Sequence, residues 1–317
     1  MKKIIFTAII LFLIILAIAC YTNSLTFKIQ KALQGKECRV SIAATSKYFV
    51  FKFNNKKVPL LSVFKYFVAV TVLNKIEREN LSLDDKILVK PDMISKTTYS
   101  PMLKKYPKTP FYISISDLMK YMVSESDNNA TDILISYIGG MQELQREMDR
   151  YQFPDIEISA DEKMMNFDIK NQYLNKGTPL NVIEAMQLFR ENGSYTYILH
   201  PLQTHSKICL TDEHKKFLDK IMIETVTGKN KIKAGLPDGA VFGHKTGSSS
   251  RKPNGVKIAD NDAGFVILPD GSVYYIAIFV TKSKMSDEEN AKLISEISKI
   301  IYEHVIKTKH KAKNRDV

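Results

Sequence analysis

Three short motifs along the chain carry side chains that could act together in nucleophilic chemistry. They are S-V-F-K at 62–65, S-D-N at 126–128 and K-T-G at 245–247. A serine hydroxyl is a weak nucleophile until a neighbouring base takes its proton. On a helix, the i and i+3 spacing puts the amine of Lys65 beside the hydroxyl of Ser62. Each motif alone occurs often by chance, so it is the ordered set of three that predicts a serine nucleophile.

The second and third motifs supply groups that could bind a substrate and move its proton. We expect Ser126 to pass a proton to a leaving nitrogen and Asn128 to bind a substrate amide, while Asp127 caps a helix. Lys245 would attract a substrate carboxylate, with Thr246 beside it at the end of a strand. Glycine after these two residues lets a substrate backbone approach the strand edge closely. A capping loop and a solvated edge lysine are the alternative readings of the two motifs.

The elements that must position these motifs follow from hydrophobic periodicity and turn residues. In chain order they are a helix over Ser24–Leu33, strands over Arg39–Ala44 and Tyr48–Asn54, a mainly helical region from 62 to about 225, strands over 239–247, 259–268 and 273–281, and a helix over Asp287–Lys307. This order predicts an α+β fold, in which both chain ends build a five-stranded antiparallel sheet flanked by helices, with an inserted all-α lobe. We assign 21–56 and 207–307 to the α/β lobe, 57–206 to the all-α lobe and 308–317 to a basic, solvated tail.

The first 20 residues have the order of a secretory signal. Two lysines precede the apolar run Ile4–Ala19, and Cys20 follows it. The run is shorter than the roughly 20 residues that a membrane-spanning helix needs. We therefore predict export to the periplasm. The ending Ala17-Ile18-Ala19-Cys20 also resembles a bacterial lipobox, in which Cys20 would be lipidated and attach the protein to a membrane; an ordinary cleaved signal is the alternative.

Charge and cysteine content argue against nucleic-acid partners and against a metal centre. The formal net charge is +12 over 317 residues, but the basic residues are spread along the chain, with no basic stripe interleaved with aromatic residues. Cys20, Cys38 and Cys209 have neither metal-ligand spacing nor the number of a disulfide framework. We expect a monomer that acts on a small molecule without metal or cofactor.

Four stretches of the sequence closely resemble class A serine β-lactamases, and in particular their Bacteroidetes branch. These stretches are 59–65, 123–128, 244–247 and 261–265, and the similarity runs from about residue 25 to 305. The ordered motifs are those of class A β-lactamases and penicillin-binding proteins. The resemblance implies a two-lobe fold with a cleft between the lobes. It also implies hydrolysis of the β-lactam ring of penicillins and cephalosporins through an acyl-serine intermediate, which gives antibiotic resistance.

The family's E-x-x-L-N element matches residues 162–166, with methionine in place of leucine. By this resemblance Glu162 and Asn166 would hold the water that hydrolyses the acyl-enzyme. Penicillin-binding peptidases lack that base, so Glu162 disfavours the two alternatives, a D-alanyl-D-alanine peptidase and a β-lactam sensor that is acylated without turnover. Either Lys65 or Glu162 could activate Ser62 for acylation.

The resemblance also carries over four further substrate contacts. The N–H groups of Ser62 and Ser248 would form an oxyanion hole, and Tyr99 would stand at the cleft rim. Lys231 matches the place of an arginine that binds the substrate carboxylate behind the K-T-G strand. A lysine supplies charge without the bidentate fork of arginine, and we expect it to be exposed at the rim.

Overall fold

The computed structural model describes residues 24–151, 153–191 and 210–314. Its helices are α1 Leu25–Ala32, α2 Lys65–Glu79, α3 Met102–Lys105, α4 Ile115–Ser124, α5 Asn128–Ile138, α6 Met141–Arg150, α7 Glu162–Phe167, α8 Pro179–Glu191, α9 Asp212–Ile223 and α10 Asp287–Lys313. Its strands are β1 Arg39–Ser46, β2 Phe49–Phe53, β3 Val58–Pro59, β4 Lys86–Val89, β5 Phe111–Ser114, β6 Ile156–Glu157, β7 Lys176–Gly177, β8 Val241–Ser248, β9 Lys257–Ile267 and β10 Val273–Ser283.

Two of the predictions fall outside this range. The signal segment with Cys20 and the third cysteine, Cys209, both lie outside the described residues. Within the described ranges, none of the helices combines the length and the apolar character that crossing a bilayer would require.

The large sheet has five antiparallel strands, as predicted, and their order is β2-β1-β10-β9-β8. The N-terminal strand β1 pairs with β10 near the other end of the chain, and Arg39 faces Thr281 across the pair. Both faces of the central strands are covered, so β9 is buried along most of its length. This double burial explains why β10 is an almost continuous apolar run, whereas the polar residues Asp260, Asn261 and Asp262 in β9 are buried with hydrogen-bond partners.

The two faces of the sheet belong to two hydrophobic cores. On one face Ile42 and Ile278 pack with the terminal helices α1 and α10. On the other face Ala43, Ala277 and Phe279 join a core that also contains buried residues of α2, α4 and α5. Neighbouring strand residues point to opposite faces, which is why Ile42 and Ala43 enter different cores. The sheet therefore lies between two hydrophobic cores.

The inserted region is helical, as predicted, but it also contains two small sheets. Strand β4 pairs with β5, and β7 lies between β3 and β6. These strands are only two to four residues long, and each pairs with a segment distant in sequence. Local periodicity cannot show such pairs because their partners are not neighbours along the chain.

Helix α4 begins at a side-chain cap, and the C-terminal helix α10 ends later than predicted. The Oγ of Ser114 accepts a hydrogen bond from the N–H of Asp117 at 3.1 Å at the start of α4. Helix α10 does not end at Lys307 but continues to Lys313, through most of the expected tail. Lys309 is buried there and forms an ion pair with Asp270. The basic stretch is helical because its lysine stem packs on the protein while its charge meets an acid in the β9–β10 turn.

Candidate active site

Ser62 lies in a short 3-10 turn immediately before α2, and β9 holds this turn from behind. Leu61, which precedes it, has a φ of +50°, an uncommon conformation for a residue with a side chain. The fully buried Asn261 of β9 donates from Nδ2 to the carbonyl of Pro59 at 2.8 Å and to that of Leu60 at 3.2 Å. These two hydrogen bonds fix the turn that presents the serine hydroxyl.

Lys65, at the start of α2, is completely buried among acceptors. Its Nζ donates to the carbonyl oxygen of Ser126 at 2.7 Å and to Oδ1 of Asn128 at 2.7 Å. It also lies 3.0 Å from Oε1 of Glu162. An ammonium has three hydrogens, so these three acceptors match its full donor capacity. The structure thus brings together residues of three separate motifs around one buried cation.

Glu162 faces the nucleophile from the first turn of α7. Its Oε1 is 3.5 Å from Oγ of Ser62, the long limit of a hydrogen bond, and Glu162 is only 6% exposed. The same oxygen forms the ion pair with Lys65. A carboxylate at this distance is within reach of a proton on Ser62, directly or through one water.

The loop that carries Glu162, residues 158–175, is held by two side chains that the sequence analysis did not single out. Asp132 of α5 accepts hydrogen bonds from the N–H of Glu162 at 2.8 Å and from that of Lys163 at 3.0 Å. Burial raises the pKa of the Asp132 carboxyl to about 7, although these two N–H donors act in the opposite direction. The buried Asn175 clamps the loop by accepting from the N–H of Ser159 and of Ala160, both at 2.9 Å, and by donating to the carbonyl of Ala160 at 2.7 Å.

Ser126 links two lysines that come from opposite sides of the site. Its carbonyl accepts from Lys65, and its Oγ accepts from Nζ of Lys245 at 2.9 Å. The backbone of Ser126 has a φ of +61°, a second unusual conformation next to the chemistry. The pKa of Lys245 lies well below its ordinary value, mainly because the side chain is completely buried and also because the positive charge of Lys65 is nearby. Asp127 caps α5, as predicted, and accepts from the N–H of Ala130 at 2.8 Å.

The end of β8 lies against the nucleophile turn because Gly247 has no side chain. A Cβ at this position would stand 2.4 Å from the carbonyl oxygen of Leu60 and 3.2 Å from the nitrogen of Ser62. Such a contact would push the strand away. Thr246 is fixed by a 2.7 Å hydrogen bond between its Oγ1 and that of Thr227, and Ser248 is exposed at the strand end.

Tyr99 and Asn128 lie together at the opening of the site. The Tyr99 side chain is 59% exposed, and its carbonyl accepts from the N–H of Asn128 at 3.0 Å. The Nδ2 of Asn128 donates to Oγ1 of Thr98 at 2.7 Å, while its Oδ1 is the acceptor for Lys65. Their contacts with a substrate stay predictions.

Two predicted substrate contacts are placed differently from the expectation. Asn166 is exposed, whereas Glu162, in the same short helix, is buried, so its part in holding a water stays a prediction. Lys231 is only 8% exposed, and its Nζ lies 2.5 Å from Oδ1 of Asp260 and 3.3 Å from the carbonyl of Asn261. The expected rim-exposed cation is therefore wrong: the charge is buried because an acid on β9 neutralises it.

The site contains serine, lysine, carboxylate and amide groups. In the part of the chain that the structure describes, no group of three or more His, Cys, Asp or Glu residues could hold a metal ion. The arrangement can activate a hydroxyl, deliver a proton and bind an anion with the side chains already named.

Comparison with known proteins places this arrangement in one family. The model of the beta-lactamase enzyme family matches residues 24–305. A beta-lactamase of Bacteroides uniformis is 40% identical over 283 residues, which cover 89% of this chain and 91% of the relative. Beta-lactamase VEB-1 of Pseudomonas aeruginosa is 34% identical over 308 residues, covering 96% and 98% of the two chains.

Solved structures agree with these sequence matches. A class A beta-lactamase from Bacteroides cellulosilyticus superimposes with a TM-score of 0.81 at 38% identity, and the match covers 89% of this chain and 96% of the other. TLA-1 extended-spectrum beta-lactamase gives a TM-score of 0.82 at 34% identity, with 90% and 99% covered. With its serine motif, its buried lysine and glutamate and its five-stranded sheet, the chain belongs to the class A serine β-lactamase family.

Proposed function

We propose that this protein hydrolyses the β-lactam ring of penicillins and cephalosporins through an acyl-serine intermediate and thereby gives resistance to these antibiotics. The observation that carries the proposal is the position of Glu162, with Oε1 3.5 Å from Oγ of Ser62 and 3.0 Å from Nζ of Lys65. A serine with a buried lysine beside it suffices for acylation, but turnover also needs a base for water. Glu162 supplies that base.

In the acylation step, Oγ of Ser62 loses its proton and attacks the lactam carbonyl carbon. Lys65 or Glu162 takes the proton, and both lie close enough for either route. The carbonyl oxygen becomes an oxyanion that accepts hydrogen bonds from the N–H groups of Ser62 and Ser248. When the C–N bond breaks, the lactam nitrogen receives a proton from Oγ of Ser126, which Lys245 holds at 2.9 Å. The proton that Ser62 released then passes from the base to Oγ of Ser126, so the base and Ser126 return to their starting protonation states.

In the deacylation step, Glu162 takes a proton from a water molecule while the water oxygen attacks the ester carbon. The C–O bond to Ser62 then breaks, and Glu162 passes the proton that it took from the water to the serine oxygen. The product is the ring-opened acid, and the enzyme returns to its starting state. This step separates a hydrolase from a peptidase or a sensor, which would remain acylated.

Steady-state kinetics with a chromogenic cephalosporin test the proposal. We expect many turnovers per enzyme and none from Ser62→Ala. A burst of one equivalent of product per enzyme, with no further turnover, would instead indicate a D-alanyl-D-alanine peptidase or a sensor and would refute hydrolysis. Expression in a susceptible bacterium should raise the inhibitory concentration of the same cephalosporin for the wild type and not for Ser62→Ala.

We propose further that the chain is exported to the periplasm, works there as a monomer and is attached to a membrane through lipidated Cys20. The basic and apolar segment ending in Ala17-Ile18-Ala19-Cys20 supports export. Acyl chains on Cys20 would add about 0.8 kcal/mol of membrane affinity per buried CH₂. The mature protein should then partition with membranes and lose this on Cys20→Ser. An intact mass with an unmodified N-terminus would contradict lipidation, and sedimentation of the signal-free protein tests the monomer.

A further inference from the structure

A buried ion pair stands on the face of the sheet that the substrate-binding residues Thr246 and Ser248 share. In the antiparallel pairing of β8 with β9, Ser248 is opposite Asp260, and Thr246 is opposite Asp262. Directly opposed residues of an antiparallel pair project to the same face. The Asp260 carboxylate therefore projects from the same face as Thr246 and Ser248, which would bind the substrate carboxylate at the end of β8.

Lys231 meets this acid from outside the sheet. Its Nζ lies 2.5 Å from Oδ1 of Asp260, and the two side chains are 10% and 3% exposed. The stem of Lys231 runs beside the K-T-G strand: a Cβ on Gly228 would stand 2.5 Å from Cγ2 of Thr246 and 3.4 Å from Cδ of Lys231. The pair is thus within one residue's width of the strand, and it adds no net charge there.

The other acid on this face is already engaged. Oδ1 of Asp262 lies 2.7 Å from Nδ1 of His244, and its Oδ2 accepts from the N–H of Ile232 at 3.2 Å. Lys245 projects to the opposite face, toward Ser126. Asp260 is therefore the acid that faces Lys231.

We propose that Asp260 is a specificity-determining residue, because it neutralises Lys231 and so sets the charge that the strand end presents to the substrate carboxylate. Recognition of the carboxylate then falls to Lys245 and to the hydroxyl groups of Thr246 and Ser248. The inference rests on the proposed β-lactam hydrolysis and concerns the same site. In the wild type, Asp260 cancels the attraction between the Lys231 ammonium and the substrate carboxylate. Lys231 attracts that carboxylate only when the negative charge of Asp260 is removed.

Asp260→Asn is the direct test because the amide keeps an oxygen that can accept from Lys231 while removing the negative charge. The assay compares a cephalosporin that has a free carboxylate with the methyl ester of the same compound. We expect Asp260→Asn to raise the acid-to-ester ratio of kcat/KM by about tenfold, equivalent to ~1.4 kcal/mol, through a lower KM for the acid with kcat little changed.

Lys231→Met should move the ratio in the opposite direction because it leaves the negative charge of Asp260 unpaired near the carboxylate. The double variant restores a neutral pair position and should return the ratio to the wild-type value. Asp287→Asn is the matched control, since it removes the acid partner of another buried lysine of β9, Lys257, which lies 2.8 Å from it. This control should leave the ratio unchanged.

An unchanged acid-to-ester ratio in Asp260→Asn would overturn the inference, and so would a shift of equal size in Asp287→Asn. Thermal unfolding of each variant shows which ones are folded. If Lys231→Met does not fold, Asp260→Asn and Asp260→Ser decide the question together, because both remove the same charge with different shapes. Failure of the wild type to turn over the free acid would instead refute hydrolysis itself, so the two failures are distinguishable.

Discussion

Replacing Glu162 with glutamine separates the two half-reactions. Glutamine keeps the shape of the side chain and an oxygen that can accept from Lys65, whose Nζ is 3.0 Å from Oε1 in the wild type. It removes the negatively charged carboxylate that takes the proton from water. General-base catalysis contributes about 10²–10⁴-fold, which is roughly 3–5 kcal/mol of the deacylation barrier. Because Oε1 is 3.5 Å from Oγ of Ser62, it is within reach of a water beside the ester, and we expect the loss in deacylation rate to fall within this range.

Acylation of Glu162→Gln should continue if Lys65 can take the serine proton. The variant would then accumulate an adduct on Ser62 that intact-mass spectrometry detects as one added β-lactam, while the wild type shows almost none. Glu157→Gln is a suitable control because Glu157 is an exposed acid near the same loop, paired with Lys57 at 2.9 Å. It should behave as the wild type. Wild-type turnover by Glu162→Gln would refute the assignment of the hydrolytic base and the reasoning from this geometry.

Three further predictions concern what holds the site and the fold. The pKa of Asp132 is raised from 3.8 to about 7, so its contribution to the free energy of unfolding is largest below pH 3.8 and is lost as the pH rises through 7. Urea unfolding of Asp132→Asn should show a weaker dependence of stability on pH over this range. Asn175→Ala removes three hydrogen bonds from a buried loop and should cost about 3 kcal/mol in unfolding and slow deacylation more than acylation; equal slowing of both would contradict its role as a clamp. Lys309→Ala should lower the free energy of unfolding by about 1 kcal/mol, and an unchanged melting temperature would show that the ion pair with Asp270 adds nothing.

Sequence alone identified the residues whose relation to one another is local or lies within an ordered set of motifs. Ser62 and Lys65 are one helical turn apart, and Asp127 caps the helix that follows it. Runs of strand-forming residues near both chain ends, separated by turn residues, were enough to predict the five-stranded antiparallel sheet. The strands of that sheet are long, and their burial leaves a strong apolar signal.

The remaining features depend on contacts between segments that sequence reading cannot bring together. Asp132 reaches the backbone of Glu162 from 30 residues away, and nothing in its neighbours marks it as an acceptor for that loop. Lys231 was expected at the rim because it matches the place of the family's substrate-binding arginine, whereas the acid that pairs with it inside lies 29 residues further along the chain. The helical continuation to Lys313 likewise depends on Asp270, which belongs to a turn between strands.

The pairing of β1 with β10 has a consequence for how the protein acquires activity. Arg39 pairs with Thr281, so the central strands of the sheet cannot close until nearly the whole described chain is available. Loop closure over such a distance costs entropy before any contact repays it, and folds dominated by non-local pairing are slow to form. Lys245 reaches Ser126 from β8, which joins the sheet only through β9. A nascent chain that lacks its last strands therefore contains Ser62 and Lys65 but has no assembled catalytic centre. The protein can become active only after β8, β9 and β10 have been synthesised and have joined the sheet.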